Sequence, residues 1–212
     1  MERKAFTVLL IAVSLTLILG LLPIHGEGEI YDSVVRLHVL ANSDSEEDQA
    51  MKLLVRDDII ALTQSLLADC TTRAEALDVI ESNLDLFRET AMETLKNNGS
   101  DHIVSVSLGE EYYPTRQYES SAFPSGEYIS LQIKIGKAKG QNWWCVLFPP
   151  ICLSAASTKT SESNLEDAFI AAGLTPEQYR IITETDPEEN GGKYKIRFKI
   201  LEIFQDIARI FK

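Results

Sequence analysis

Apolar and polar residues alternate in residues 31–40, which predicts a β-strand. The apolar positions are Val35, Leu37 and Val39, and Arg36 and His38 stand between them. A period of two is typical of a strand with one covered face. We expect a helix to follow, because Ser43 can cap its first turn and Glu46, three residues later, can reach back to the cap.

The next two stretches have the wider apolar spacing of amphipathic helices. The first stripe consists of Met51, Val55, Ile59, Leu62 and Leu66. Thr72 and Glu75 repeat the capping pattern before a second stripe, which consists of Leu77, Ile80, Leu84, Phe87, Ala91 and Leu95. That stripe ends at Asn97-Asn98-Gly99, a typical helix stop. The sequence therefore predicts two long helices in succession.

Beyond Gly99 the period returns to two, which indicates strands. Alternation is clear in residues 104–108 and 128–135, and residues 142–148 form an apolar run that ends at a double proline. Because a Gly-bounded turn joins 128–135 to 142–148, we expect these two segments to form a hairpin. Further elements are predicted along the rest of the chain: short helices at 165–172 and 176–182, a strand at 194–200 and a closing helix at 203–210.

The first 28 residues have the order of charges expected of an export signal. Arg3 and Lys4 precede an uncharged run from Ala5 to Leu22, and a basic end followed by an apolar stretch is typical of a secretory signal. The run is also just long enough to span a bilayer. Residues 1–28 are therefore either a signal peptide, cleaved near Gly26 or Gly28, or an N-terminal anchor.

Together these elements predict an α+β fold for residues 29–212, as a single exported domain. We expect an antiparallel sheet with the two long helices packed on one face. The chain has 212 residues and a formal net charge of −12. Such an acidic balance argues against a sequence-independent nucleic-acid binder. Residues 193–212 are locally basic, so they can meet anionic lipid heads or pair with the acidic stretch 162–189.

Export affects how the three cysteines are interpreted, because disulfides persist outside the cytosol. Cys145 and Cys152 lie seven residues apart, and the double proline between them can bend the chain back. A bridge between them is expected, and two buried free thiols are the alternative. Cys70 is then unpaired. We predict no metal site, because the histidines are few and no cysteine pair has two-residue spacing.

No established catalytic motif occurs in the chain. His38 with Asp44 and Asp48 is a candidate hydrolytic or metal site, but helix capping already explains the two acids. We find no Gly-x-Ser-x-Gly, no His-Glu-x-x-His and no phosphate-binding glycine loop. We therefore expect no enzyme activity, no cofactor and no small-molecule substrate, and keep a secreted cell-wall or peptide hydrolase as the alternative.

Aromatic and proline residues cluster between Tyr112 and Pro150. Trp143 and Trp144 are consecutive in a predicted strand, so one points to each face of the sheet. If helices cover one face, the other Trp is either exposed as an interaction hot spot or covered by the loop 114–126.

Several separate blocks of the sequence resemble the stage II sporulation protein R family. The blocks are Arg36 to Ser45, Asp48-Gln49, Val55-Arg56-Asp57, Tyr113-Pro114-Thr115-Arg116, Pro124 to Tyr128 and Gly140 to Cys152. The resemblance is weaker near Arg197-Phe198-Lys199. It departs from the family at Ser125, where a small residue, often Ala, is expected.

The resemblance implies a role in endospore-forming bacteria. A member of this family is made in the forespore and exported into the space between the forespore and mother-cell membranes. There it activates a membrane-embedded aspartic protease of the mother cell, which cleaves the precursor of the early mother-cell sigma factor. We expect Tyr113, Arg116 and either Trp143 or Trp144 to form the partner-binding patch, because buried aromatic and Arg anchors contribute more than surface ion pairs.

Overall fold

A four-stranded mixed sheet lies at the centre of the computed structural model. Its strands are β1 (Val35–Leu40), β2 (Val104–Tyr113), β5 (Gly126–Ile135) and β6 (Asn142–Phe148), in the spatial order β2-β5-β1-β6. A second, two-stranded antiparallel sheet consists of β3 (Arg116–Tyr118) and β4 (Ser121–Phe123).

The structure describes residues 27–118, 121–151, 162–171 and 173–183, and the single residue Ser14. The apolar run of the predicted export segment lies outside these residues, apart from Ser14. The Ser/Thr-rich stretch 154–164 is predicted to be a loop, and its residues 154–161 also lie outside the described ranges, as do both elements predicted after residue 193. Within the described ranges no helix is long and apolar enough to cross a membrane.

The prediction of a purely antiparallel sheet is wrong, because β1 pairs in parallel with β5. The predicted hairpin is also wrong, since β1 lies between β5 and β6. β1 is buried along nearly its whole length, which fits a central strand that pairs with a neighbour on each of its two edges. Residues 136–141 cross its end, where the Gly140 amide donates to the carbonyl of Ala41 over 3.0 Å. Two strand spacings are about 10 Å, which six residues span easily.

Six helices are described: α1 (Glu27–Ser33), α2 (Glu46–Leu66), α3 (Arg73–Ser82), α4 (Leu84–Asn97), α5 (Glu162–Ala171) and α6 (Pro176–Thr183). The predicted first long helix is α2, but the predicted second one is divided into α3 and α4. Asn83 breaks it, with φ −119° and ψ 18°. The Asn83 side-chain amide donates to the carbonyl of Val79, a local bond that competes with continued helix.

The helix caps agree with the sequence at one of the two predicted places. Thr72 and Glu75 form the reciprocal capping box. Backbone hydrogen bonds from Thr71 and Thr72 hold the pKa of the Glu75 carboxyl below its usual range. At α2, however, Ser45 is the cap and accepts from the amide of Asp48, whereas the Ser43 hydroxyl donates to the carboxylate of Asp48.

One face of the sheet carries the main core against α2, α3 and α4. Val35, Leu37 and Val39 of β1 belong to this core, as their period of two predicts. The opposite face carries a second apolar cluster, which contains Ile30, Tyr113, Phe123, Tyr128, Val146 and Phe169. Elements therefore pack on both faces rather than on one. The second cluster covers only part of its face, since Ser105 and Ser107 of β2 are exposed there.

Candidate partner-binding site

Arg36 is the buried centre of the second face. It follows Val35 in β1 and so points away from the long helices. Its side chain is fully buried; Nε donates to the carbonyl of Cys145 over 3.0 Å and Nη2 donates to the hydroxyl of Tyr118 over 2.8 Å. Nη1 is buried without a hydrogen-bond partner among the described residues.

Four aromatic rings surround the Arg36 guanidinium. Its central carbon lies 4.3 Å from the ring centre of Tyr113, 4.8 Å from Tyr128, 5.2 Å from Phe123 and 5.8 Å from Tyr118. Burial raises the pKa of the Tyr113, Tyr118 and Tyr128 hydroxyls, so they remain neutral. Cation–π contacts and two hydrogen bonds thus take the place of a carboxylate counter-ion.

His38 lies on the same face and is 5% exposed. Its Nδ1 is 2.7 Å from Oε1 of Glu111 and its Nε2 is 3.0 Å from Oδ1 of Asn142. The imidazole therefore links β2 and β6 to the central strand. The candidate site of His38 with Asp44 and Asp48 is not assembled, because Asp48 instead lies 3.0 Å from Nε2 of His102.

The two tryptophans lie on opposite faces, as their consecutive positions predict. Trp143 packs against the main core and Trp144 against the second cluster. Each has an arginine above its ring: the guanidinium carbon of Arg56 is 5.2 Å from the centre of Trp143, and that of Arg116 is 3.8 Å from the centre of Trp144. The pair Arg116 and Trp144 is therefore the closer stack.

Arg116 begins β3 at the border of the covered half of the face. It is half-buried, and among the described residues its side chain has no hydrogen bond or ion pair. Its Nε is buried and unpartnered. Desolvation lowers the pKa of Arg116, and the nearby charge of Arg36 lowers it further. We call Arg116, Trp144 and His38 the corner site.

Tyr113 packs beneath the corner site and does not form part of its surface. It is fully buried, and its hydroxyl lies 2.6 Å from that of Ser130. Its ring centre is 6.0 Å from that of Trp144 and 6.3 Å from that of His38. Because no side-chain surface of Tyr113 is accessible, its contribution to a partner contact is to hold Arg36 and Trp144 in place.

Comparison with known proteins identifies the family to which this site belongs. The sequence profile of the stage II sporulation protein R family matches residues 31–158. The chain belongs to this family. Stage II sporulation protein R of Bacillus subtilis (strain 168) is 33% identical over 192 residues, which is 84% of this chain and 83% of that protein. No solved structure is significantly similar to the chain.

Family membership gives the chain a role in sporulation. The matched residues include every member of the corner site, the Arg36 cage and the strands that carry them. No single sequence motif indicated the cage, because its four rings come from four different strands. The sequence shows only an arginine between the apolar residues of an alternating strand, and that pattern does not reveal its burial.

Side chains at and just before the start of α2 form hydrogen bonds with the crossover 136–141. The Asn42 side chain donates to the Asp48 carboxylate over 2.8 Å and accepts from the amide of Lys137 over 2.9 Å. Nζ of Lys52 is 2.6 Å from Oε1 of Gln49 and donates to the carbonyl of Gln141 over 3.1 Å. These bonds tie the start of α2 to the crossover 136–141.

The cysteines were predicted to form a bridge and leave one thiol free. Cys145 is buried and disulfide-bonded. Cys152 lies outside the described residues, so its pairing with Cys145 stays a prediction. Cys70 is free and half-buried, and burial raises the pKa of its thiol. Raising the thiol pKa lowers the thiolate fraction and hence its reactivity.

Proposed function

We propose that the chain is an exported signal of endospore formation that activates a membrane-embedded aspartic protease of the mother cell. The protease then processes the precursor of the early mother-cell sigma factor. The single observation that carries this proposal is the family match, which spans both the sheet and the corner site. The proposed ligand acts by binding and not by catalysis.

A ligand activates an enzyme only through its different affinity for the active and inactive states. A change from 1:99 to 99:1 in favour of the active state requires about 5.5 kcal/mol. Isolated surface ion pairs contribute about 1 kcal/mol at most, whereas an aromatic or Arg anchor at an interface contributes about 2 kcal/mol or more. Arg116 stacked on Trp144 is such an anchor, and we propose it as the contact with the protease.

The hydrogen bond between His38 and Glu111 favours the alternative, a secreted hydrolase, because a carboxylate often orients a catalytic histidine. Here, however, the second ring nitrogen of His38 is also occupied, by Asn142. No hydroxyl or thiol among the described residues bonds to His38. A histidine with both nitrogens engaged and little exposure supports a positioning role in the sheet.

We propose that the protein acts in the space between the forespore and mother-cell membranes. Residues 1–28 serve as its signal peptide or anchor. Ile30 is fully buried in the second cluster and follows Leu22 by only eight residues. Eight extended residues span about 27 Å. A retained anchor would therefore hold the α1 side of the domain close to the membrane of the forespore, the cell that produces the protein.

Co-production in a non-sporulating host tests this function. The full chain is expressed with the candidate protease and the sigma-factor precursor, and precursor cleavage is followed by immunoblot. We expect cleavage only when all three proteins are present. The matched control lacks residues 3–22 and should accumulate inside the cell without stimulating cleavage. Equal cleavage with and without the full chain would contradict the proposal.

A further inference from the structure

Arg116 differs from Arg56 and Arg88 of the helical face, because its side chain has no carboxylate partner among the described residues. Arg56 lies 2.6 Å from the carboxylate of Asp57, and Arg88 lies 2.8 Å from that of Asp85. The chain has 32 acidic side chains, yet none of the described ones lies within ion-pair distance of Arg116. A guanidinium left unpaired in so acidic a protein needs an explanation.

The environment of Arg116 makes this lack of a partner costly. The guanidinium carbon lies 3.8 Å from the centre of the Trp144 ring, and Nε is shielded from water without a hydrogen bond to any described residue. Arg36, also without an ion pair among the described residues, adds a second positive charge nearby. Partial burial of unpaired charge is unfavourable until an opposite charge arrives.

We propose that Arg116, held on the ring of Trp144, is a binding site for a carboxylate side chain of the partner. This proposal rests on the proposed function and adds that the protease presents an Asp or Glu to the corner site. Nη1 and Nη2 are not among the buried atoms of Arg116, so they are the donors available to a carboxylate. A planar guanidinium offers two parallel donors to a carboxylate, which an ammonium does not.

The proposal predicts opposite effects of Arg116 on stability and on binding. A purely structural arginine stabilises the fold, so its removal lowers the unfolding temperature. A desolvated, unpaired arginine kept for binding does not, and its replacement leaves that temperature unchanged or raises it. Arg116→Met keeps the long apolar stem over Trp144 and removes only the charge and its donors.

The first experiment uses the co-production assay with three variants of the full chain. We expect Arg116→Met to lower precursor cleavage about 30-fold, the factor expected for one interface anchor. Arg116→Lys should fall between Arg116→Met and wild type. Arg56→Met is the matched control, because Arg56 lies over the other tryptophan and has its own carboxylate. Wild-type cleavage by Arg116→Met, or a loss of cleavage together with a lower unfolding temperature, overturns the proposal.

The second experiment does not depend on the protease. The chain has two tryptophans, so Trp143→Phe leaves Trp144 as the sole indole reporter. The purified full chain is titrated with an acidic peptide of alternating Gly and Glu while Trp144 fluorescence is recorded. The titration is repeated with a control peptide, the Gln twin, in which Gln replaces every Glu. We expect a response to the Glu peptide that is absent with the Gln twin and lost in Arg116→Met.

The two experiments separate the two proposals. If the wild-type chain does not stimulate the protease, the proposed function fails, and the peptide titration still decides the carboxylate site. If the wild-type chain stimulates cleavage but Trp144 does not distinguish the Glu peptide from its Gln twin, the carboxylate site fails and the proposed function stands.

Discussion

Nη2 of Arg36 donates a hydrogen bond to the hydroxyl of Tyr118 over 2.8 Å. This bond joins the central strand of the main sheet to the small sheet, and Tyr118 is two residues from Arg116. The buried arginine thus positions the half-buried one. The position of Arg116 in the corner site therefore depends on a hydrogen bond inside a mainly apolar cluster.

Replacing the buried arginine should destabilise the domain. Arg36→Met has a similar volume but removes the side-chain donor to the buried Cys145 carbonyl and one of the two hydrogen bonds of the Tyr118 hydroxyl. An unsatisfied buried group costs about 1–3 kcal/mol. We expect the free energy of unfolding, measured by urea titration, to fall by about 2 kcal/mol.

Arg56→Met is the control for Arg36→Met, because Arg56 is partly exposed and its ion pair is with an exposed carboxylate. Its loss should cost less than about 1 kcal/mol. Equal effects of the two substitutions would show that the cage around Arg36 does not contribute specifically to stability.

The crossover 136–141 should not tolerate a side chain at Gly140. A Cβ there would overlap the carbonyl group of Ser43 and approach Cβ of Ala41 to 2.9 Å. Overpacking against backbone typically costs about 1–3 kcal/mol, and we expect Gly140→Ala to lower the unfolding temperature accordingly. Gly109→Ala is the matched control, because nothing lies within 4 Å of a Cβ at that position. A similar loss for both variants would contradict the close approach at Gly140.

The sequence was sufficient for elements whose apolar period is long and regular. It predicted α2, β1, β5 and β6, and the division of β1 into a helix-facing and an opposite side. It could not predict the pairing of the strands, because the Gly-bounded turn suits both a hairpin and a crossover. The position of β1 between β5 and β6 depends on long-range contacts that no local pattern records.

The candidate site was predicted in part. Arg116 and Trp144 lie together, and both had been named from sequence. Tyr113 had been named as part of the partner-binding patch but is fully buried. The sequence could not show this, because an aromatic residue at the end of a strand can be either buried or exposed. The Arg36 cage was missed, since an arginine between apolar residues usually indicates a solvent-facing position.

The Asp48 carboxylate should make stability depend on pH. Hydrogen bonds from Ser43 and Asn42, with a smaller contribution from His102, hold the pKa of Asp48 below its usual range. A lowered pKa in the folded state stabilises the fold above the unfolded value and loses that effect as pH falls through the folded value. Asp48→Asn should therefore cost about 1 kcal/mol at neutral pH, with the difference from wild type closing below about pH 4. A pH-independent difference in urea unfolding would contradict this assignment.

The exported protein should contain a Cys145–Cys152 disulfide and a free Cys70. A bridge that closes so short a loop is expected to stabilise by about 2–3 kcal/mol at most. Alkylation of the denatured, unreduced protein followed by mass analysis should label Cys70 alone. Labelling of all three cysteines without reductant would rule the bridge out.

The central claim is that the protein signals through the sheet face opposite the long helices, and the two consecutive tryptophans test it most directly. Trp144→Leu and Trp143→Leu remove the same ring from opposite faces of β6. Both are compared in the precursor-cleavage assay, with unfolding temperatures measured in parallel. We predict that Trp144→Leu abolishes stimulated cleavage while remaining folded, and that Trp143→Leu retains it to the extent that it folds. Normal cleavage with Trp144→Leu, or a selective loss with folded Trp143→Leu, would contradict the account.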